Sequence, residues 1–204
     1  MSLYSERILP HLIRSTMRNE RFAPYRRRTV SSSVGRVLEI GIGSGENLPF
    51  YGTSVTEVIG LEPSARLAVM AERKASDFRI PVRLLRGSAE AVPLDAGSVD
   101  TVVITWTLCS VPDPGKALRE VRRVLKPAGR LLFAEHGLAP DRGIRFVQRR
   151  LTPLWKHVAG GCHLDRDMPA IVGAAGFSLD RLDMGYMPGA RPLSFIYEGA
   201  ARPA

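Results

Sequence analysis

Short runs of aliphatic and β-branched residues recur along the chain, separated by segments with helical or turn-like spacing. Runs that are apolar at successive positions need burial on both faces, which is typical of central strands in a parallel sheet. The pattern predicts seven strands, over residues 37–40, 58–61, 82–85, 99–105, 131–136, 177–184 and 193–198.

Between these runs, apolar residues recur at intervals of three and four positions. This spacing predicts helices over residues 64–75 and 113–125. Further helices are predicted near residues 145–157 and in a short stretch that ends at Gly176. Strands and helices that alternate in this way predict an α/β fold built from βαβ units.

The first 33 residues differ from the rest of the chain. Pro10 opens a predicted helix there. Its less polar face consists of Leu12, Ile13, Thr16 and Met17. Because this face is short, a helix packed over the domain is favoured over one lying on a membrane. A serine-rich linker at residues 31–33 then separates an N-terminal helical segment, residues 1–33, from a single domain, residues 34–204.

The first strand runs into a glycine-rich turn that contains Gly41, Gly43 and Gly45. Glycines lack Cβ atoms, so a ligand can approach the backbone closely at such a turn. The second apolar run ends at Glu62, where a carboxylate can accept hydrogen bonds from both hydroxyls of a ribose. Strand, turn and acidic residue together predict a site for a cofactor that contains adenosine.

The glycine spacing distinguishes between two such cofactors. A dinucleotide fingerprint is G-x-G-x-x-G, but here the third glycine comes one position early and Glu46 stands in its place. A carboxylate there would repel a pyrophosphate, whereas it suits the cationic sulfonium and ammonium groups of S-adenosylmethionine. The sequence therefore favours S-adenosylmethionine over NAD.

The run from Glu39 to Gly45 resembles the first motif, E/D-x-G-x-G-x-G, of the class I S-adenosylmethionine-dependent methyltransferases. The resemblance implies a Rossmann-like, seven-stranded, mostly parallel sheet with helices on both faces and an antiparallel last strand. It also implies that residues 1–33 form a lid, and that residues 87–90, Gly-Ser-Ala-Glu where relatives carry Gly-Asp-Ala-Glu, meet the adenine.

The carboxyl end of the fourth strand also faces the crevice of such a sheet. With its residues included, the predicted cofactor-binding residues are Glu39, Gly41, Gly43, Gly45, Asn47, Glu62, Pro63, Ser64, Ser88, Ala89, Glu90, Thr105 and Trp106. At position 88 a serine hydroxyl replaces the usual carboxylate and can still accept a hydrogen bond from the adenine amine.

The composition sets further limits. A chain of 204 residues with 45% hydrophobic content suits a single α/β domain. The net charge of +9 permits an acidic partner, but the arginines are spread along the chain, which favours an ordinary solvated surface. Because we find no signal peptide or apolar stretch of about 18 residues, we expect a soluble, cytoplasmic protein.

Methyl transfer depends mainly on alignment of the reacting atoms, but a thiol or amine acceptor must also lose a proton. His136, at the end of the fifth strand, is the first candidate base, since imidazole titrates near neutral pH. A purely structural role beside Glu135 stays open. His163 is a second candidate, and Asp165 is interpreted as the N-cap of the helix that ends at Gly176.

The chain contains two cysteines, Cys109 and Cys162. They cannot form a disulfide framework or a four-cysteine metal site, and no spacing with histidine matches a known zinc pattern. A nucleophilic thiol needs a lowered pKa, which adjacent side chains in an extended loop rarely provide. Both are therefore interpreted as small buried residues, and no metal is assigned.

Segments of the second half, including residues 107–111 and 161–164, resemble the mammalian alkyl thiol methyltransferases. This implies a small-molecule acceptor, with a thiol as the candidate. The aromatic residues expected near the cleft are Trp106, Trp155, Tyr186 and Phe195. They favour an apolar acceptor. A phospholipid amine or a quinone precursor stays open as the acceptor, as does peripheral membrane contact, and the oligomeric state is not predicted.

A different functional class is a basic nucleic-acid-binding module on the same fold, which would use the positive charge for phosphate contacts. No basic motif interleaved with aromatic residues supports it. The turn at residues 105–108, Thr-Trp-Thr-Leu, also lacks the Asn/Asp-Pro-Pro-aromatic sequence of enzymes that methylate nucleobase amino groups. Nucleic acid is therefore a disfavoured partner.

Overall fold

A seven-stranded sheet lies at the centre of the structure, a computed structural model that describes residues 7–204. The strands are β1 (Gly35–Ile40), β2 (Val55–Leu61), β3 (Val82–Leu85), β4 (Val99–Thr105), β5 (Leu125–His136), β6 (Phe177–Tyr186) and β7 (Phe195–Pro203). Their order is β3-β2-β1-β4-β5-β7-β6, and β7 runs antiparallel to both of its neighbours. The predicted α/β fold, with its mostly parallel sheet and antiparallel last strand, is confirmed.

Helices cover both faces of the sheet. They are α1 (Leu9–Met17), α2 (Ala23–Val30), α3 (Ala65–Ala75), α4 (Pro114–Val124), α5 (Arg142–Val158) and α6 (Met168–Ala174). One apolar cluster includes Leu118 of α4 and Val172 of α6, and a second, on the other face, includes Val30 of α2 and Ala71 of α3. The apolar residues whose spacing predicted α3 and α4 are therefore the residues that these helices bury against the sheet.

The register of the three central strands positions the site. Ile40 at the end of β1 pairs with Leu61 of β2 on one side and with Ile104 of β4 on the other. The residues that follow these three positions therefore emerge together at the carboxyl edge of the sheet. In open α/β sheets, this edge beside the first strand is where ligands bind.

The structure departs from the prediction at several element boundaries. β5 begins at Leu125, because the predicted turn at residues 126–129 is an irregularity within the strand, where the pairing shifts from Leu125 to Arg130. The N-terminal segment also contains a second helix, α2, with Pro24 in its first turn. This helix was not predicted, because the segment is rich in arginine and leads into the serine-rich linker. None of the helices described in residues 7–204 combines the length and apolar character needed to cross a membrane.

Candidate active site

The glycine turn after β1 adopts the backbone conformation that favours glycine. The φ angles of Gly41, Gly43 and Gly45 are +71°, +58° and +77°. The Gly43 N–H donates to Glu62 Oε2 at 3.0 Å, and the Ser64 N–H donates to Glu62 Oε1 at 2.9 Å. Burial raises the pKa of Glu62, while these two N–H groups oppose the shift. Turn and carboxylate thus form one unit, as the sequence predicted from their separate strands.

A buried network lies beneath this turn. Asn47 Nδ2 donates to Glu39 Oε1 and to Thr105 Oγ1, each at 2.9 Å, and the Tyr51 hydroxyl donates to Glu39 Oε2 at 2.7 Å. Arg26 of α2 donates from Nη1 to Asn47 Oδ1 at 2.6 Å. Burial raises the pKa of Glu39 to about 7, against the lowering influence of Tyr51, Arg26 and Asn47.

A cavity of about 570 Å³ opens above the carboxyl edge of the sheet. The predicted site residues that line it are Glu39, Gly41, Gly43, Glu62, Pro63, Ser88, Ala89, Thr105, Trp106 and His136. Most of the residues singled out from the sequence thus converge on one space. The apolar wall opposite the sheet is formed by α1, through Leu9, Leu12, Ile13 and Met17.

Four of the predicted cofactor-binding residues, all within the described part of the chain, do not line the cavity. Gly45 packs against Leu48, and Asn47 braces two strands as described above. Ser64 is the N-cap of α3, and Glu90 accepts the N–H of Asp113 at 2.8 Å through Oε1. Of these four, Asn47 directly supports two residues of the cavity wall, Glu39 and Thr105.

Two other expectations are wrong. The N-cap of α6 is Asp167, whose Oδ1 accepts from the Ala170 N–H at 3.2 Å, whereas Asp165 lies 3.8 Å from His163 Nδ1. Both carboxylates precede the helix, so the sequence alone does not separate them. Tyr186 and Phe195 form an edge-on ring contact at 5.0 Å in the core around β6 and β7, away from the cavity lining.

Trp106 lines the cavity and has a strained backbone conformation. Its φ of +49° is a left-handed conformation that side chains with a Cβ rarely adopt, and such strain concentrates at functional sites. Its ring contacts Phe22 edge-on at 4.9 Å and lies beneath the Arg26 guanidinium at 4.9 Å. Its indole Nε1 is buried without a hydrogen-bond acceptor among the residues described.

Two thiols and an imidazole meet on the same wall, which the sequence did not predict. Cys109 follows β4, His136 ends β5 and Cys162 follows α5, and their ligand atoms lie within 4.8 Å of one another. Cys162 Sγ is 3.9 Å from His136 Nδ1. The Cys109 thiol lowers the pKa of Cys162 by donating to its sulfur, with His136 as a further cause, while its own pKa is raised.

A buried carboxylate fixes the loop that carries Cys109. Glu135 accepts the backbone N–H groups of Thr107 and Leu108 at 2.8 Å through Oε1, and that of Cys109 at 3.1 Å through Oε2. Burial raises the pKa of Glu135 to about 7, although these three donors lower it. Arg166 donates to the carbonyl groups of Leu108 and Val111 from the other side of the loop.

Some parts of the site were not predicted from the sequence: Arg26, Tyr51, Glu135 and the two thiols. The available signals were weak: Arg26 lies in a run of three arginines, of which it alone is buried, and Glu135 directly follows an apolar run, residues 131–134, in β5. A charged residue inside a buried strand indicates a specific partner, because an unpaired buried charge is too costly. That rule would have singled out Glu135.

The residues fit the cofactor that the sequence predicted. Three carboxyl groups of the cavity lining, Glu39, Glu46 and Glu62, outnumber the guanidinium of Arg26, so the lining favours a cationic ligand over a pyrophosphate. A Cβ at Gly43 would enter open space, with the nearest atom 3.9 Å away, so the turn leaves room for a ligand. Fold and site together define the class of Rossmann-like methyltransferases that use S-adenosylmethionine.

Comparisons with known proteins agree. The Methyltransferase domain model matches residues 38–133. Thiol S-methyltransferase TMT1B from Rattus norvegicus is 38% identical over 162 residues, 75% of this chain and 64% of that protein. A demethylmenaquinone methyltransferase from Thermus thermophilus is 30% identical over 179 residues, 76% of this chain and 81% of that protein. The chain belongs to the methyltransferase domain family, which confirms the predicted class and cofactor.

A solved structure supports the fold. The crystal structure of a SAM-dependent methyltransferase from Thermotoga maritima superimposes with a TM-score of 0.69 over 98% of this chain and 99% of that one, at 24% identity. At this identity the likeness concerns the fold alone. The chain covers less than two thirds of the rat thiol methyltransferase, so what that protein acts on is not transferred by similarity alone.

Proposed function

We propose that this protein transfers a methyl group from S-adenosylmethionine to a small thiol. The observation that carries the proposal is that Gly43 and Glu62, proposed to bind the nucleoside, line the same cavity as Trp106 and His136. The similarity to thiol S-methyltransferase TMT1B supports the choice of a thiol as acceptor.

At the nucleoside end, each residue has a proposed role. Glu62 accepts hydrogen bonds from the ribose hydroxyls, and the backbone of the turn at Gly41 and Gly43 lies against the ligand. Ser88 and Ala89 meet the edge of the adenine. The cofactor supplies a methyl group already activated by a positively charged sulfur. The acidic lining that includes Glu39 stabilises a cationic ligand.

At the acceptor end, the proposed role of His136 concerns the thiol proton. An imidazole in this position serves an acceptor thiol in one of two ways: it accepts the proton itself, or it binds a metal ion that lowers the pKa of the thiol. Trp106, Trp155 and the apolar face of α1 enclose the acceptor and exclude water. We further propose that the N-terminal segment acts as the lid, since α1 lines the cavity; residues 1–6 of the predicted lid lie outside the described residues.

A reducing compartment suits the two free thiols on the cavity wall. Cys109 and Cys162 are free thiols whose sulfur atoms lie close together, and thiols stay reduced in the cytoplasm. We therefore propose the cytoplasm as the location.

Cofactor binding and acceptor choice are tested separately. Isothermal titration calorimetry of S-adenosylmethionine compares the wild type with Gly43→Leu, which places a side chain in the cavity. Gly97→Leu is the matched control, because Gly97 also has a positive φ, +62°, and open space around it but lies outside the cavity lining. Loss of binding in Gly43→Leu alone supports the proposal, and equal binding in both variants contradicts it.

A panel of alkyl thiols, phospholipid amines and reduced quinone precursors then identifies the acceptor. Methylated product and S-adenosylhomocysteine are both measured by mass spectrometry. Turnover of thiols alone supports the proposal. Preference for a quinone precursor would instead match the Thermus thermophilus relative, and either other class would overturn the choice of thiol.

A further inference from the structure

Three potential metal ligands meet on the wall of the cavity. Cys109 Sγ, Cys162 Sγ and a ring nitrogen of His136 lie within 4.8 Å of one another, and all three residues line the space that the acceptor enters. They come from three different segments, after β4, at the end of β5 and after α5. Their convergence is therefore a product of the tertiary fold.

Hydrogen bonds fix the two loops that carry Cys109 and Cys162, and they do so without a metal ion. The Cys109 N–H is bound by Glu135, and the Cys109 carbonyl accepts from the His163 N–H at 2.8 Å, which ties the loop after β4 to the loop that carries Cys162. Arg166 joins the same two loops through Val111 at 2.8 Å. Metal sites depend on such hydrogen-bonded support, because it holds the ligands in place before the ion binds.

The spacing matches a tetrahedral ion. Zinc binds thiolate sulfur at about 2.3 Å and imidazole nitrogen at about 2.0 Å, so neighbouring ligand atoms in a tetrahedron are roughly 3.5 to 3.8 Å apart. The separation of Cys162 Sγ and His136 Nδ1 is 3.9 Å. The other two separations are at most 4.8 Å, so an ion between the three atoms requires the cluster to contract by up to about 1 Å.

We propose that Cys109, Cys162 and His136 bind a zinc ion whose fourth position faces the cavity and receives the thiol acceptor. Two thiolates and one imidazole with an open position are a known ligand set of catalytic zinc, and soft sulfur ligands select such an ion. This inference rests on the proposed function. It assigns to His136 the role of a ligand instead of that of a base.

The proposed zinc site would make the sulfur of the acceptor thiol reactive at neutral pH. The acceptor thiol binds at the open position and loses its proton to solvent, because a coordinated thiol is deprotonated. The thiolate electron pair then forms a bond to the methyl carbon as the bond from that carbon to the sulfonium breaks. The products are a thioether and neutral S-adenosylhomocysteine, and the charge balances without a further reactant.

Metal binding is measured without reference to activity. The full-length protein is saturated with zinc under reducing conditions, dialysed and analysed by inductively coupled plasma mass spectrometry, with one ion per chain expected. Co²⁺ then replaces zinc, and its absorption bands report tetrahedral geometry and sulfur-to-cobalt charge transfer. Cys109→Ser and Cys162→Ser should each weaken the charge-transfer band.

His136→Ala should lower zinc affinity by more than about 100-fold, since even the supporting groups around a metal site are worth 10-fold to 100-fold. The control is His157→Ala, which removes an exposed imidazole of α5 and should leave metal binding unchanged. The Cys109→Ser/Cys162→Ser double variant keeps the volume of the wall and should bind no Co²⁺ with charge transfer.

The outcomes separate this inference from the proposed function. Substoichiometric zinc, or a Co²⁺ spectrum that persists in the double variant, overturns the metal site. So does a protein in which Cys109 and Cys162 form a disulfide instead, seen as a mass lower by two hydrogens. Thiol methylation at the same rate with and without zinc also overturns it, while the proposed function stands. Stoichiometric zinc at these ligands with no thiol turnover would retain the metal site and reject the thiol acceptor.

Discussion

Arg26 donates a 2.6 Å hydrogen bond from Nη1 to Asn47 Oδ1, and through it the N-terminal helices are connected to the cofactor end of the cavity. Asn47 in turn donates hydrogen bonds to Glu39 and Thr105. Arg26 Nη2 donates to the Met17 carbonyl at the end of α1 at 3.2 Å. A single guanidinium thus contacts both the last residue of α1 and the network beneath the glycine turn.

We expect Arg26→Leu to destabilise the protein by about 3 kcal/mol, because it leaves buried polar groups at Asn47 and Glu39 without their cationic partner. The free energy of unfolding is measured by urea denaturation. The control is Arg27→Leu, which removes an exposed side chain over the Phe50 ring at 5.7 Å and should change stability by less than about 1 kcal/mol. Equal losses in the two variants would contradict the role of Arg26.

Glu62→Gln should weaken S-adenosylmethionine binding about tenfold, because a neutral amide replaces a charged acceptor for the ribose hydroxyls. Calorimetry measures the affinity, and the thermal midpoint without ligand shows whether the turn itself has been disturbed. Glu57→Gln is the matched control on β2, the strand that Glu62 follows, since Glu57 pairs with Arg36 at 2.8 Å and does not line the cavity. A Glu62→Gln variant with wild-type affinity would mean that the ribose lies elsewhere.

Ile13→Ala tests the proposed lid. Ile13 lines the cavity, and its Cδ1 packs close to Gly160 at the end of α5. Removing part of this side chain opens the acceptor end, so we expect KM for the acceptor to rise several-fold while the affinity for S-adenosylmethionine changes little. Steady-state kinetics provides the comparison, with Ser15→Ala on the exposed side of α1 as the control. An unchanged KM would remove α1 from the acceptor site.

The convergence of residues at the proposed nucleoside end of the site was predictable because its signals are local. Each strand and the residue that follows it can be recognised in the sequence, and parallel pairing then brings Gly41 and Glu62 to the same edge. The register of Ile40 with Leu61 shows this directly. Boundaries such as the start of β5 were not predictable, since an irregular pairing can extend a strand through a proline and a glycine.

The acceptor end depends on tertiary geometry that no local pattern contains. His136 could be identified from the end of its strand, but the approach of Cys162 depends on the path of the chain after α5. That path is set by bonds such as the one from the His163 N–H to the Cys109 carbonyl. The same dependence explains why Tyr186 and Phe195, expected at the cleft, face the core instead.

The burial of Glu39 gives the protein a specific pH dependence. Its pKa is raised from an ordinary value of 4.5 to about 7, so between these values the folded state binds more protons than the unfolded state. Stability contributed by the neutral carboxyl is therefore complete below pH 4.5 and is lost as the pH rises towards 7 and above.

We expect Glu39→Gln to remove part of this loss, so that the variant gains stability relative to the wild type as the pH rises from about 4.5 to 7.5, by about 2 to 4 kcal/mol in total. Urea denaturation of both proteins across this range, without cofactor, gives the difference. The decline that remains in the variant is assigned to Glu135, whose pKa is also raised to about 7, and to Glu62, whose pKa burial also raises. Glu57→Gln, which changes an ion-paired side chain on β2, should show no such gain. If the Glu39→Gln variant instead loses stability relative to the wild type as the pH rises, Glu39 is charged and stabilised by Arg26 in the folded protein, and burial does not dominate its titration.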